Sequence, residues 1–450
     1  DIYHDRTFNR AQVLEAAVVL LLTALGSVCR LSNSFIVAEG DAVHFFVASL
    51  AFLLLVRAAS FTSRVGGFST LAAAAAAVRL LMCNGILQGL GVSWVKEGSD
   101  DDGRGESGAN NARVYYEPGD LSAVLVLGPL AMLPWVCHRT LAPVTGGGLR
   151  TVVATALAAV GARVLATGAG ADALGRTAGQ GAAEVLRAAA AGFLPWVIYW
   201  ASSMAAMFLV PLTALQAGEV RFTVAIATHG IVWAVMLVLV LLSGDRGALW
   251  GLLATTQVAC LVLAVTDGTG MVTHGGCVWR EVTLTCALHV MALQMFYAGG
   301  HRCAFHGLHF ACAFTGFTKF NFYLMGTLLA VNTWSGDLAV CSTLPAAAAA
   351  NHLCYHHYFG YQLKGTSGGR RELGTFRNSL ARFTLGYSLL RAIGVVVSTV
   401  FVAAARRHLM VWAIFAPKFV FEACGMCVSE ILLVLAVMIA SGLVGELPVG

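Results

Sequence analysis

Residues 385–405 read LGYSLLRAIGVVVSTVFVAAA, a run of 21 residues in which Arg391 is the only charge. An α-helix of about 20 apolar residues is long enough to cross the hydrocarbon core of a bilayer. Similar apolar runs recur along the whole chain. Because the runs are unbroken, and do not alternate apolar with polar residues as barrel strands do, the sequence predicts membrane-spanning helices.

The composition agrees with a membrane protein. Of the 450 residues 58% are hydrophobic and only 11% are charged, and the mean hydropathy is +0.77. A soluble protein usually carries about 25% charged residues, so this chain has too few charged residues to cover a water-facing surface. The net charge of +5 is small and dispersed, which argues against a nucleic-acid partner. We predict an all-α fold, a polytopic transmembrane helical bundle with about twelve spans.

Twelve stretches have the length and apolar character of spans. They are residues 11–29, 42–58, 66–91, 121–137, 151–168, 186–210, 224–242, 248–265, 282–297, 324–345, 385–405 and 411–440. Asn332 and Asp337 interrupt the tenth, and Pro417 is expected to break the last. The whole chain, 1–450, is therefore interpreted as one multi-span membrane domain.

The loops predict an orientation. Residues 346–384 form a basic loop that carries Lys364, Arg370, Arg371, Arg377 and Arg382. Basic loops are retained in the cytoplasm, so this loop is assigned there and the acidic loop 96–120 to the lumenal side. Counting spans from these two loops places the His301 loop and the turn Arg406–His408 on the lumenal side. Basic residues on that side indicate an anionic ligand such as a lipid phosphate.

Polar residues inside spans cost several kcal/mol unless they are paired, so each is a candidate site residue. The structural candidates are Arg79, Asp337, Glu422 and Asn33. Lys418 and Glu422 are four residues apart, which favours a local ion pair. The alternative is that Lys418 contacts a phosphate together with Arg406 and Arg407.

A histidine-rich segment follows the ninth span, with His301, His306 and His309 among paired glycines. The glycines indicate a re-entrant or interfacial loop. Since no nearby Cys, Asp and Glu set completes a zinc site, hydrogen bonding is favoured over metal binding, and no metal ligand is assigned in this chain. Cys424 and Cys427 form a CxxC spacing that, on a membrane helix, is interpreted as packing.

Three stretches resemble a known family, the GPI ethanolamine phosphate transferases. Residues 406–423, RRHLMVWAIFAPKFVFEA, resemble its C-terminal signature. Residues 294–302, QMFYAGGHR, followed by AVNTW at 330–334, resemble its F-Y-x-T/S-G-H-Q and x-x-N-T-F segments. Residues 32–40, SNSFIVAEG, resemble S-N/D-S-F-V-V-A-E. The combination is most similar to the third transferase of the family. Gly299 and Arg302 depart from the family pattern.

The resemblance implies a multi-pass enzyme of the endoplasmic reticulum membrane. Such enzymes transfer phosphoethanolamine from phosphatidylethanolamine to a mannose of the GPI precursor, here the third mannose. In the family the reaction takes place in an N-terminal lumenal domain that holds two zinc ions. We expect that domain to be absent from these 450 residues, so that no catalytic residue lies in this chain and the chain is inactive alone. The implied partner is a small membrane subunit, phosphatidylinositol-glycan class F.

The candidate residues for binding a lipid phosphate are Arg406, Arg407, His408, Lys418, His301 and Asn332. Paired arginines suit phosphate because the guanidinium donates two parallel hydrogen bonds. Two other classes stay open. A lipid or solute transporter, or a scramblase, would suit about a dozen spans with broken helices. A different lipid-linked transferase, such as a mannosyltransferase, would want acidic residues in its first lumenal loop.

Overall fold

Most of the C-terminal third of the chain is described by the computed structural model, together with short pieces upstream. The described residues are 13–14, 17–21, 23–24, 43, 46–47, 94–96, 114–116, 181, 184–185, 188, 195–200, 231–232, 234–236, 238–239, 241–242, 276–298, 301, 303, 308, 310–317, 319–359 and 368–445. Five helices can be followed from end to end. They are α1 (Gly276–Ala298), α2 (Phe322–Thr333), α3 (Ser335–Phe359), α4 (Gly368–Ala405) and α5 (Leu409–Gly445).

The helix α3 lies at the centre of a four-helix bundle. It packs against α1, α4 and α5, and α4 and α5 pack against each other as an antiparallel hairpin. The side chains of Ala339, Leu344 and Ala347 are fully buried although they point in different directions around α3. A helix that is apolar and small all round can be enclosed on every side, which explains its central place. Gly336 sits so close to the backbone of Ala292 on α1 that a Cβ atom would collide with it.

The tenth predicted span is two helices rather than one. α2 begins at the N-cap Asn321, whose side chain accepts a 3.1 Å hydrogen bond from the Leu324 N–H, and it ends at Trp334. α2 leaves the bundle that contains α3. It packs instead against the 3-10 helix Phe310–Phe314 and against the helical residues Tyr199, Val238 and Leu242. A left-handed Gly316 (φ +82°) closes this contact, since a Cβ there would meet the ring of Pro195.

Three further details differ from the sequence-based expectation. The basic loop predicted for 346–384 is largely helical, because α3 continues to Phe359 and α4 already begins at Gly368. Pro417 does not break the last helix, which runs through it without interruption. The described residues are mostly helical, as predicted, and they also include one short hairpin, in which strands β1 (Trp94–Lys96) and β2 (Val114–Tyr116) pair antiparallel near the two ends of the acidic segment 96–120.

Two of the described helices contain stretches long and apolar enough to cross a membrane, Phe376–Ala405 in α4 and Phe415–Gly442 in α5. Large apolar side chains on their outer faces are exposed, among them Leu389 at 63% and Ile431 at 61%. Such surfaces are stable in contact with lipid. The helical character and the membrane-spanning capacity of this part agree with the sequence-based prediction, while the total of about twelve spans stays a prediction.

Candidate functional site: a buried polar junction

Three charged side chains from three helices meet inside the bundle. Arg391 Nε on α4 lies 3.4 Å from Asp337 Oδ1 on α3, and Arg391 Nη1 lies 3.5 Å from Glu422 Oε2 on α5. The exposed fractions of the three residues are only 6%, 7% and 8%. Arg391 thus links α3 to α5 through two ion pairs. We call these three residues the buried triad.

Two hydroxyl groups complete the environment of Asp337. Tyr387 on α4 donates a 2.6 Å hydrogen bond to Asp337 Oδ1, and Ser429 on α5 donates a 3.0 Å bond to the same oxygen. Asp337 also lies in the first turn of α3, where the partial positive charge of a helix N-terminus favours a carboxylate. Such contacts are what allows a carboxylate to be buried, because an unpaired one would cost several kcal/mol.

Glycines on the facing helices make room for the triad. A Cβ atom on Gly425 would overlap Arg391 Nη2, and it would lie 3.2 Å from the Trp334 Nε1 atom. A Cβ on Gly394 would lie 3.0 Å from Glu422 Oε2. The helices can approach each other closely around these charges because glycine has no side chain, as is common where membrane helices pack tightly.

Lys418 is a fourth buried charge, one helical turn before Glu422, with 6% of its surface exposed. Its ammonium lies 5.8 Å from the centroid of the Phe415 ring, a cation–π distance. The sequence favoured a local pair between Lys418 and Glu422. The structure assigns Glu422 an ion pair with Arg391 from another helix. The four buried side chains together carry no net charge, which lowers the cost of placing them away from water.

His301 and Asn332, both predicted as site residues, are brought together by the fold. Asn332 Nδ2 lies 3.2 Å from His301 Nε2, and the two residues are 4% and 2% exposed. The imidazole stacks on Phe296 at 5.3 Å between ring centroids, and Phe296 in turn contacts Phe421, the neighbour of Glu422. Two aromatic rings therefore connect the His301 pair to α5 next to Glu422.

Cys312 adds a thiol to the His301–Asn332 pair, in the connection between α1 and α2. Burial raises the pKa of this thiol to about 11, an effect that the nearby Asn332 side chain partly offsets. The thiol is therefore protonated at neutral pH. It acts as a small packing group rather than as a nucleophile.

Several of these buried polar residues lie at the break between α2 and α3, far from the turn that connects α4 to α5. Asn332, Thr333, Ser335 and Asp337 are all buried around Trp334, the residue at which the helix is interrupted. Arg391 and Glu422 lie 14 residues before Ala405 and 13 residues after Leu409, or about 20 Å from the turn that connects α4 to α5. An interrupted helix at such depth is tolerated where protein encloses it, and it is a common setting for binding sites.

The predicted phosphate-binding turn lies elsewhere. Arg406, Arg407 and His408 are exposed and connect α4 to α5, whereas Lys418 is buried within α5. Lys418 comes ten positions after His408, about 15 Å further along the helix axis. A ligand held by both would have to extend over that distance. Arg79 and Asn33, the other predicted polar residues, lie outside the described part of the chain.

The sequence did not indicate a second ion pair, in which Glu281 is buried and Arg382 is exposed at its outer side. Glu281 on α1 is 3% exposed and accepts a 2.7 Å hydrogen bond from Ser379. Arg382 also donates to it, at 2.5 Å from Nε and 3.1 Å from Nη2. The only signal in the sequence was an acidic residue just before a span, which is an ordinary position for a charge.

Two more polar residues were overlooked inside helices. Gln294 on α1 is fully buried, and neither polar atom of its amide has a hydrogen-bond partner within the described residues. Glu430 on α5 accepts a 2.5 Å hydrogen bond from Ser388 on α4. Glu430 had a clear signal, since it is an acidic residue in the middle of an apolar run.

Comparison with known proteins identifies two relatives. Over 255 residues the chain is 28% identical to GPI ethanolamine phosphate transferase 3, catalytic subunit, of Mus musculus, a match that covers 51% of this chain and 23% of the mouse protein. Over 225 residues it is 29% identical to the Homo sapiens protein of the same name, covering 44% of this chain and 20% of the human protein. No family model matches the chain, and no solved structure matches it significantly.

The matches confirm the resemblance drawn from three short stretches. The chain is similar to the third GPI ethanolamine phosphate transferase over about half of its length, and the matched part spans less than a quarter of these relatives.

Proposed function

We propose that these 450 residues form the membrane domain of an enzyme of GPI-anchor biosynthesis in the endoplasmic reticulum membrane. The enzyme would transfer phosphoethanolamine from phosphatidylethanolamine to the third mannose of the GPI precursor. The observation that carries this proposal is the similarity, over about half of the chain, to proteins named GPI ethanolamine phosphate transferase 3. The membrane-capable helices α4 and α5 support a membrane location.

The proposed role of this domain is to present lipid substrates. Donor and acceptor are both anchored in the bilayer, and holding them side by side makes their reaction effectively unimolecular. The exposed turn Arg406–His408 would hold an anionic phosphate at the lumenal boundary. The His301–Asn332 pair, the buried triad and Lys418 would shape the polar wall behind it.

The reaction centre is proposed to belong to a lumenal domain outside these residues, with two zinc ions as its cofactors. The described residues contain no group of three or more His, Cys, Asp or Glu side chains that could hold a metal ion. The small membrane subunit phosphatidylinositol-glycan class F is the proposed partner.

The test is the double variant Arg406→Ala, Arg407→Ala in the full-length enzyme, expressed in cells that lack their own copy. Each lost charge-assisted hydrogen bond is worth about 1.5–3 kcal/mol, so phosphoethanolamine transfer should fall about tenfold or more at normal abundance. Arg377→Ala, at the opposite end of α4 and also exposed, is the matched control. Normal transfer at normal abundance would contradict the role of the turn. So would reduced abundance with normal transfer per molecule, which would assign the turn to folding.

A transporter or scramblase is the second candidate, and the buried triad beside an interrupted helix is the observation that favours it. This candidate predicts that the purified chain in liposomes moves fluorescent phospholipids or solutes across the bilayer. Absence of any movement, together with transfer activity of the full-length enzyme, would decide for the transferase.

A further inference from the structure

Arg391 is shared between two helices, at similar distances from a carboxylate on each. Its Nε atom lies 3.4 Å from Asp337 Oδ1 on α3, and its Nη1 atom lies 3.5 Å from Glu422 Oε2 on α5. A close charge-assisted hydrogen bond between a guanidinium and a carboxylate measures about 2.7–2.9 Å. Both distances exceed that length, so the guanidinium lies between two competing carboxylates and could pair more closely with either one.

Each carboxylate keeps other polar groups nearby if the guanidinium moves away from it. Asp337 Oδ1 accepts hydrogen bonds from Tyr387 at 2.6 Å and from Ser429 at 3.0 Å. Glu422 has the buried cation Lys418 one helical turn away on α5, a spacing at which opposite charges interact. A shift of the guanidinium from one carboxylate to the other therefore costs far less than its removal, because every charge stays near a polar group throughout.

Glycines border the space through which the guanidinium would shift. Gly425 on α5 lies directly against Arg391 Nη2, and Gly394 on α4 lies next to Glu422 Oε2. Since glycine has no side chain, the Arg391 and Glu422 side chains can change their positions there without displacing another side chain. The geometry and the chemistry of this junction thus allow two arrangements of the same three charges.

We propose that Arg391 is a two-position switch. In one position it pairs closely with Asp337 and ties α4 to α3, and in the other it pairs closely with Glu422 and ties α4 to α5. Tightening one helix contact loosens the other, and two discrete arrangements of this kind are a common basis of switching in packed helices. This inference goes beyond the proposed transferase role and does not depend on it.

The test is NMR of the full-length protein in lipid nanodiscs, with carbon-13 in the methionine methyl groups. Met426 is half-buried and follows Gly425, the glycine that contacts Arg391. Met438, twelve positions further along α5 and 64% exposed, is the internal control. In the unaltered protein the Met426 methyl group should show relaxation dispersion from exchange on the microsecond-to-millisecond timescale, which is that of small helix shifts, and the Met438 methyl group should not.

Two variants should shift the equilibrium in opposite directions. Asp337→Asn favours pairing with Glu422, and Glu422→Gln favours pairing with Asp337. Each removes a hydrogen bond to a charged group, so the ratio of the two positions should change about tenfold or more. The Met426 resonance should then move in opposite directions along one line, with the unaltered protein between the two variants. Glu281→Gln, the same kind of change in the ion pair with Arg382, is the matched control and should leave the Met426 resonance in place.

A shift of Met426 in the same direction in both variants would overturn the proposal, since a fixed network that merely loosens has only one way to change. Absence of relaxation dispersion at Met426 in the unaltered protein would also overturn it, and that measurement requires no variant to fold.

Discussion

Arg391 Nε lies 3.4 Å from Asp337 Oδ1, so an ion pair joins the middle of α4 to the first turn of α3. The relationship explains why α3 begins where it does. The interruption at Trp334 places Asp337 at a helix N-terminus, where the backbone favours its negative charge. Asp337 then lies at the same depth as Arg391, the only cation in the apolar stretch 385–405 of α4. The helix break thus places Asp337 where it can pair with Arg391.

Replacement of Arg391 by methionine should strongly destabilise the bundle. The change leaves the carboxylates of Asp337 and Glu422 buried without their cation. Breaking a buried ion pair by removing one partner costs about 3–5 kcal/mol. Unfolding in detergent, followed by circular dichroism against denaturant, measures the loss. The apolar triple variant Asp337→Leu, Arg391→Met, Glu422→Leu should recover part of it; if the single variant matched the unaltered protein, the triad would have no structural role.

Gly336 and Gly326 should respond differently to the same change. Alanine at 336 would push a Cβ atom into the backbone of Ala292, which cannot rotate away, whereas a Cβ at 326 meets nothing within 4 Å. Gly336→Ala should therefore cost about 1–3 kcal/mol through overpacking. Gly326→Ala should be neutral or stabilising by up to about 1 kcal/mol, because alanine is the better helix former. Equal unfolding midpoints for the two variants would contradict the close α1–α3 contact.

Glu281 should be important for stability despite its place near the end of a span. Glu281→Gln removes the charge that receives three hydrogen bonds from Ser379 and Arg382. Because Arg382 is 44% exposed and partly solvated, we expect a moderate loss of about 1–2 kcal/mol. Arg377→Ala, also on α4 but exposed, should stay within about 0.5 kcal/mol of the unaltered protein. A larger effect at Arg377 than at Glu281 would contradict the α1–α4 contact.

Cys312 should give a stability change at alkaline pH. Burial raises the pKa of its thiol from 9.0 to about 11, so the folded protein holds this proton more tightly than the unfolded chain does. The resulting stabilisation is complete below pH 9 and is lost as the pH rises towards about 11. Comparing denaturation of the unaltered protein and Cys312→Ala across that range isolates the effect. Rapid alkylation of Cys312 by iodoacetamide at neutral pH, in the folded protein, would contradict its burial.

Apolar runs revealed where helices lie but not how they face each other. The run ending at Ala405 was predicted with the observed end, and Asn332 and Asp337 did mark an interruption. In contrast, the ion pair of Glu422 with Arg391, 31 residues away, was not indicated by the spacing along the chain. Spacing along one helix shows which residues share a face, but it contains no information about what another helix brings to that face.

The error at Pro417 has a different origin. Proline removes one hydrogen bond and crowds the preceding turn, which predicts a break in an isolated helix. In the folded chain Phe415 and Phe421, on either side of Pro417, are buried at 3% and 9% exposed, and α5 packs along α4. Tertiary packing can hold a helix straight through one lost hydrogen bond, and nothing in the local sequence reports that packing.

The short turn between α4 and α5 has a consequence for how the chain is made. Only three residues, Arg406 to His408, separate the two helices, so they emerge from the ribosome as one helical hairpin. A single helix with Arg391 at its centre pays about 2.5–3.5 kcal/mol to enter the bilayer. Inserted together with α5, it would have Glu422 available to its guanidinium, as in the folded hairpin. A chain that ended after residue 408 would leave Arg391 with Asp337 of α3 as its counter-charge and without the second one, Glu422.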